Sequence, residues 1–400
     1  MKNEMPLFSF CILAYNNYCY IREALDSVFV QTYPNIELLI SNDGSPDFDI
    51  AELTEYINAH KGENIRKIYI HDNKTNLGTV KNINLVREHA SGEYIMYMAA
   101  DDALYDEMVL ERYVQELEKL GQDALVVSSR TAMCSHDLHE VVSYVPDKEG
   151  TNAILQMTPK QMFSRLTHTF TIPTTSTCYR MRLYDLVGPY DEDYYIIEDA
   201  PLYIKMARMG IQFYWIDEMV GARHRDGGIS HGNTLGLSES YRRYRQDEVT
   251  FFKKEVVPYK KQILPADRVK MRQKWEYVKR SYDQQFVLPY LDSSQRWLRR
   301  VKHLPQILLH MLQRFFNLLK SYAADREMRR GAMYTALECS LVLFISTIFR
   351  IINGVFLLPP IIMRLFVGGF CASAVLWLLL ILGKFISIFC RGLRFVFWGR

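Results

Sequence analysis

The stretch Phe8-Ser9-Phe10-Cys11-Ile12-Leu13-Ala14-Tyr15-Asn16-Asn17 decides the fold. Residues 8–13 form an almost continuous apolar run, broken only by Ser9, as expected of a strand buried on both faces of a parallel sheet. Polar Tyr15-Asn16-Asn17 follow at once, and Ile21, Leu25, Val28 and Phe29 then recur at helical spacing before Pro34. Outward from there the same unit repeats. Strands are predicted at 37–41, 68–70, 94–99 and 125–128, and helices at 50–60, 80–89 and 108–120, the last stopped by Gly121. This alternation predicts an α/β fold with an open, mostly parallel sheet and right-handed crossovers. Further on the pattern loosens into a short helix at Pro159–Leu166, a strand at 175–180, a helix at 199–209 closed by Gly210, and a strand at 212–216.

Open α/β sheets bind ligands outside the carboxyl ends of their strands. Four polar clusters stand there: Tyr15-Asn16-Asn17, Asn42-Asp43-Gly44-Ser45, His71-Asp72-Asn73 and Asp101-Asp102. They are expected to converge on one edge, although each alone is also ordinary turn composition.

Of the 400 residues, 49% are hydrophobic and 23% charged, which excludes disordered and low-complexity classes. A net charge of +3 is too small to suggest a nucleic-acid partner. The seven cysteines are odd in number and include no CxxC pair, which fits a reducing compartment and small buried hydrophobes. Residues 1–7 are polar and lead straight into a strand, without a secretory signal, so the catalytic part is expected to stay in the cytosol.

Lys and Arg dominate from about Arg268 onward. Residues 297–320 mix Arg299, Arg300, Lys302, Arg314 and Lys320 with Leu, Ile, Met and Phe, the pattern of a basic helix lying on a membrane surface. Residues 336–358 are strongly apolar but hold Glu338 and Arg350, and a mid-membrane Arg costs about 3 kcal/mol or more. Residues 365–383 carry no charge and are near the minimum needed to cross a hydrocarbon core of about 30 Å. Positive flanks at Arg326, Arg329, Arg330 and at Arg391, Arg394, Arg400 favour both ends on the cytoplasmic side. The expectation is peripheral or integral attachment to the cytoplasmic face of the cell membrane. A hydrophobic helix pair joining copies of the chain in a homo-oligomer is the alternative. Three regions follow: a catalytic domain at 1–235, a basic helical linker at 236–330, and apolar, membrane-associated helices at 331–400.

Two acid pairs carry the candidate chemistry. Asp101-Asp102 follows the apolar strand directly, and adjacent acids there repel unless a cation or hydrogen bonds compensate. A divalent cation is one explanation; Asp102 or Asp106 capping the next helix is the other. Glu198-Asp199 precedes Pro201 at a helix start, so Asp199 is either an N-cap or a general base held ionised by that helix terminus.

The order of motifs resembles family 2 glycosyltransferases, which have the GT-A fold of nucleotide-diphospho-sugar transferases. Residues 10–16 resemble the family's first strand, followed by Ser27 with Gln31-Thr32-Tyr33-Pro34-Asn35-Ile36-Glu37-Leu38, then Asn42-Asp43-Gly44-Ser45. Asn76-Leu77-Gly78 with Lys81-Asn82, Ser91-Gly92-Glu93, Asp101-Asp102, residues 187–192 and Glu198-Asp199 complete the series in family order over about residues 6–230.

The resemblance implies that Ala14, Asn16 and Asp43 cradle the nucleotide, with Asp43 on the base, and that Lys81 lies near the base or diphosphate. Asp101 would contact ribose or sugar, Asp102 would hold Mn²⁺ or Mg²⁺, Asp199 would be the catalytic base of an inverting transfer, and Glu198 would position it or the acceptor. His224, inside Arg223-His224-Arg225-Asp226-Gly227-Gly228, stands where related enzymes carry a His near the diphosphate. The implied donor is a nucleoside-diphosphate sugar, a UDP-sugar by family default, and the acceptor a growing surface glycan or a lipid-linked sugar. The sequence departs from the family pattern at Ala99, where an earlier acid is common, and at Asn42, where the family has Asp. A nucleotidyltransferase would need a Gly-rich basic loop after the first strand, which residues 14–20 lack; a degenerate membrane scaffold that keeps the fold is the non-catalytic alternative.

Overall fold

The computed structural model describes residues 5–155, 157–169, 172–226, 238–287 and 290. Residues up to Val287 form one compact unit, and the second unit, Leu288–Arg400, lies outside the described residues except for Tyr290. The segments expected at the membrane, 297–320, 336–358 and 365–383, therefore lie outside the described residues, as does the boundary expected at 235/236. Among the described residues no helix is long and apolar enough to cross a membrane.

The chain runs β1 (Phe8–Ala14), α1 (Ile21–Phe29), β2 (Ile36–Asn42), α2 (Ile50–His60), β3 (Ile65–Asp72), α3 (Thr79–Glu88), β4 (Tyr94–Ala99), β5 (Ala103–Leu104) and α4 (Val109–Leu120). It continues through β6 (Val126–Cys134), β7 (Val141–Val145), α5 (Lys148–Ile154), α6 (Pro159–Leu166), β8 (Thr177–Arg180), α7 (Leu183–Val187), α8 (Asp199–Arg208) and β9 (Tyr214–Arg225). Beyond the undescribed 227–237 come α9 (Glu239–Phe251) and α10 (Arg268–Tyr282), in the same compact unit as the sheet.

The strand order is β3-β2-β1-β4-β8-β6-β9-β5, with β7 on β6. The first four strands are parallel, with Phe8 opposite both Ile36 and Tyr94. A mostly parallel sheet is correct only for this half. β8 pairs antiparallel with β4 and β6, β7 with β6 and β5 with β9, while β6 and β9 are parallel, so the sheet is mixed. The sequence hid this because residues 128–134 lack an apolar alternation. They hold their place in the sheet through hydroxyls: Ser128 meets Thr177 at 2.8 Å, Thr131 meets Ser176 at 2.6 Å, and Ser129 meets the Tyr113 hydroxyl at 2.6 Å.

Alternate residues of the central strands feed two cores. Phe10, Ile12, Leu38, Ile40, Met96 and Met98 pack with α1, α2 and α4, while Cys11, Leu39, Ile95 and Tyr97 pack with α3 and α6 to α8. Arg180 is fully buried, and its guanidinium donates to Glu93 at 2.6 Å, Glu118 at 2.8 Å and the carbonyls of Ala124 and Leu117 at 3.1 and 3.0 Å, tying β8 to α4. Several motif residues turn out to be braces. Glu37, 1% exposed, accepts from Ser9, Ser91 and the Gly92 amide, and Gln31 donates to the carbonyls of Ser27 and Asp106.

Candidate active site

The four clusters at the carboxyl ends of β1 to β4 are joined by direct hydrogen bonds. The Asn16 amide donates to Ser45 Oγ at 2.9 Å, Asn17 Nδ2 to Asp101 Oδ1 at 2.9 Å, Asn42 Nδ2 to Asp72 Oδ1 at 2.8 Å, and the Asp43 amide to the Ala14 carbonyl at 2.8 Å. Asn16 adopts φ 54°, a left-handed conformation that asparagine tolerates better than most residues. The departure at Asn42 has a physical reason. Its amide donates to Asp72 while its oxygen accepts from the Ser45 amide at 3.1 Å; a carboxylate there would face Asp72 with no donor.

Asp43 is 3% exposed and grips the turn before α3, one oxygen accepting from the Leu77 amide at 2.8 Å and the other from the Gly78 amide at 2.9 Å. Burial pushes its carboxyl upward despite these bonds. Gly78 is required where it stands. Its φ is +91°, and a Cβ would meet the Tyr195 carbonyl oxygen at 2.6 Å. Lys81, exposed on the first turn of α3, borders a cavity of about 310 Å³ with Leu77, Tyr195, Arg243 and Gln246. Ala14 is buried and takes part through its backbone.

Beyond β4 the two candidate acids separate. Asp101 faces Asn17, and its carbonyl accepts from Arg225 Nε at 3.0 Å. Neither Asp102 nor Asp106 caps α4, whose N-cap is Met108 without a side-chain cap; Asp106 accepts from the Met108 amide at 2.9 Å in the preceding turn and pairs with Arg112 at 2.7 Å. Asp102 turns inward, 1% exposed, to His224 on β9. Its Oδ1 lies 2.9 Å and its Oδ2 3.0 Å from His224 Nδ1, and Oδ1 also accepts from the Arg225 amide at 3.2 Å.

Burial raises the Asp102 pKa and His224 pulls it back only in part. Burial also disfavours a charged His224, but facing Asp102, with Asp101 and Asp226 beyond, outweighs this and raises the imidazole's pKa. The two shifts favour opposite charge states. The ion pair carries more weight, because His224 keeps a quarter of its side chain in solvent and Asp102 has a backbone donor as well.

One carboxylate and one imidazole suit a divalent transition ion such as Mn²⁺ better than an ion that takes oxygen alone. A separation of 2.9–3.0 Å between a carboxylate oxygen and an imidazole nitrogen is also that of adjacent ligands at about 2.1 Å around an octahedral ion. Among the described residues no group of three or more His, Cys, Asp or Glu side chains could hold a metal, so other positions would fall to phosphate oxygens and water.

Glu198 and Asp199 open α8. Asp199 Oδ1 accepts from the Ala200 amide at 2.7 Å and Oδ2 from Thr174 Oγ1 at 3.1 Å. Burial raises the pKa of both carboxyls; for Glu198 the charge of Asp199 adds to it and carries the value up to about 8. Both keep an open edge to solvent. Each carboxyl feels the other's charge, so the pair gives up its two protons in separate steps. The loop before them packs on the Asp43 side of the site, where the Tyr195 hydroxyl donates to Asn76 Oδ1 at 2.9 Å. Arg225 was visible beside His224 in the sequence. Thr174 and Asp247, which touch this loop and its acids, carried no signal there.

Residues 9–187 match the family model described as glycosyl transferase family 2. An uncharacterized glycosyltransferase of Rickettsia typhi is 28% identical over 236 residues, covering 59% of this chain and 69% of that protein. One from Haemophilus influenzae is 26% identical over 250 residues, covering 62% and 74%. A solved mannosyltransferase from Pyrobaculum calidifontis, in complex with GDP-Man and Mn²⁺, superimposes with a TM-score of 0.52 at 16% identity over 85% of this chain and 81% of that one, a likeness of fold. Residues 9–187 thus match family 2 glycosyltransferases, and the chain is a glycosyltransferase.

Proposed function

We propose that this transferase is inverting, and that it moves a sugar from a nucleoside-diphosphate sugar, a UDP-sugar by family default, to a glycan or lipid-linked acceptor at the cytoplasmic membrane face. The observation that carries the reading is the placement of Asp199 in the first turn of α8, with Oδ1 on the Ala200 amide, Oδ2 on Thr174 Oγ1 and Glu198 beside it, a carboxylate held as a base would be. In the proposed step the acceptor oxygen attacks the anomeric carbon and its proton passes to an Asp199 oxygen. The bond from that carbon to the diphosphate oxygen breaks on the opposite side, which inverts the centre. Glu198, protonated, donates to the acceptor or holds it in line.

Asp102 and His224 would hold a Mn²⁺ or Mg²⁺ ion, whose charge would offset that of the diphosphate leaving group. Asn16, Asp43 and Lys81 are assigned to the nucleotide, and Asp101 to ribose or sugar. Asp43 acts chiefly by fixing the Leu77–Gly78 turn, since both its oxygens are engaged there. Support for the membrane face comes from the basic and apolar pattern of residues 297–400.

The test is a panel of UDP- and GDP-sugars, with and without Mn²⁺, followed by NMR assignment of the product anomer. Net retention of configuration, or Asp199→Asn turning over at the wild-type rate, would overturn the reading.

A further inference from the structure

The loop that delivers Glu198 and Asp199 is held from outside the family match, by one side chain of α9. Asp247 lies in the middle of that helix, 4% exposed, so it caps nothing. One of its oxygens, Oδ2, accepts from three successive backbone amides, Tyr195 at 2.9 Å, Ile196 at 2.6 Å and Ile197 at 3.1 Å. A buried carboxylate is costly unless such donors compensate it, and consecutive amides converging on one oxygen are a recurrent way of doing so. One turn earlier, the Arg243 guanidinium lies 4.9 Å from the centre of the Tyr195 ring. The far end of that ring donates to Asn76 Oδ1, which also accepts from the Gly78 amide at 2.8 Å, and that same amide is held by Asp43.

We infer that Asp247 is a positioning residue, which by gathering the amides of Tyr195, Ile196 and Ile197 fixes the point from which Glu198 and Asp199 enter the cleft, and through Tyr195 links that loop to the turn held by Asp43. The inference rests on the proposed role of Asp199 as base. It places a determinant of the transfer on a helix that, like the loop it holds, lies beyond residues 9–187, the span that matches the family model. Main-chain amides, which any sequence supplies, are the contacts it uses, so the loop itself shows no trace of the arrangement.

The test uses the full chain. Asp247→Asn keeps the side chain's size but removes its charge, leaving a neutral oxygen for three amides. Hydrogen exchange at Tyr195, Ile196 and Ile197 should quicken by about tenfold or more, while the sheet amides keep their protection. In a UDP-sugar turnover assay with Mn²⁺, kcat should fall by about tenfold with the donor KM little changed, the split expected when an aligned group is displaced while donor binding stays intact. Asp247→Glu, which retains the charge on a longer arm, covers the case in which Asp247→Asn fails to fold, and should show the same kcat loss. Wild-type exchange at the three amides in the variant that folds would overturn the inference, as would wild-type kcat. Asp199→Asn measured alongside separates the two claims. Full turnover in that variant removes the proposed base but leaves the exchange result to judge the clamp.

Discussion

His224 Nδ1 lies 2.9 Å from Asp102 Oδ1, joining the end of β9 to the turn after β4. The contact explains why β9 must run as far as Arg225. Its last residues supply the imidazole, the amide that Asp102 accepts, and the Arg225 guanidinium, which reaches the Asp101 carbonyl and Glu23. The Asp102 carboxylate is thus compensated by β9, and that of Asp101 by Asn17, before any ligand arrives. A cation would replace the proton between Asp102 and His224 rather than enter an unpaired acidic pocket.

Asp102→Ala removes one proposed ligand. UDP affinity measured by calorimetry in the presence of Mn²⁺ should fall by about 10–100-fold, to the value found without the ion, while metal-free affinity stays put. His224→Ala should lose the same enhancement, and it also leaves the buried Asp102 carboxylate without its imidazole, so its Tm should drop below that of Asp102→Ala. Undiminished Mn²⁺ enhancement in both variants would move the ion elsewhere.

Asp199→Asn keeps the bonds to Thr174 and Ala200 within reach but cannot accept a proton. A positioned base contributes about 10²–10⁴-fold, so kcat should fall by that factor with the donor KM almost unchanged. Thr174→Val should cost far less, since it removes one bond to an oxygen that remains ionised. A Thr174→Val loss equal to that of Asp199→Asn would point to alignment rather than proton transfer.

The first half of the fold was legible because β1, β2 and β4 are buried on both faces and write themselves as apolar runs, while Asp43, Asp101 and Asp102 follow them at strand ends. The second half was not. Beyond Ser128, β6 carries Ser129 and Thr131, whose hydroxyls meet Tyr113 of α4 and Ser176 ahead of β8, and such residues read as loop. β5 is only two residues long. At the site, sequence order paired Asp101 with Asp102, whereas the structure sends one to Asn17 and the other to His224. Those partners are set by register, which no local pattern encodes.

Glu37 tests a motif residue that braces rather than binds. Burial alone would raise its pKa, but Ser9, both the hydroxyl and the amide of Ser91, and Lys67 hold it below the usual carboxylate range. Glu37→Ala should cost about 3 kcal/mol or more in urea unfolding, since it strands several buried donors. The sign with pH follows from the lowered value. The stabilisation is complete above the ordinary Glu pKa and is lost as pH falls toward the folded one, so wild type should weaken through that acid window while Glu37→Gln stays flatter. Parallel pH dependence in the two proteins would mean that Glu37 has no depressed pKa.

Glu198 offers the clearest pH signature in the molecule. Its carboxyl is pushed up to about 8 by burial and by the charge of Asp199, whose own carboxyl burial also raises, so the pair holds a proton into the neutral range. On the acid side, activity should rise as Asp199 ionises, with a midpoint above that of an ordinary Asp because burial raises it. On the alkaline side, Glu198 gives up its proton near pH 8, and a second charge appears beside the base while the neutral donor disappears. The kcat profile should therefore be bell-shaped, with its falling limb near 8. Glu198→Gln cannot ionise and keeps a donor, so it should retain much of the rate and lose the falling limb while leaving the rising one in place. A Gln variant with the same alkaline fall would assign that limb to another group, and one whose rising limb vanished instead would exchange the roles of the two acids.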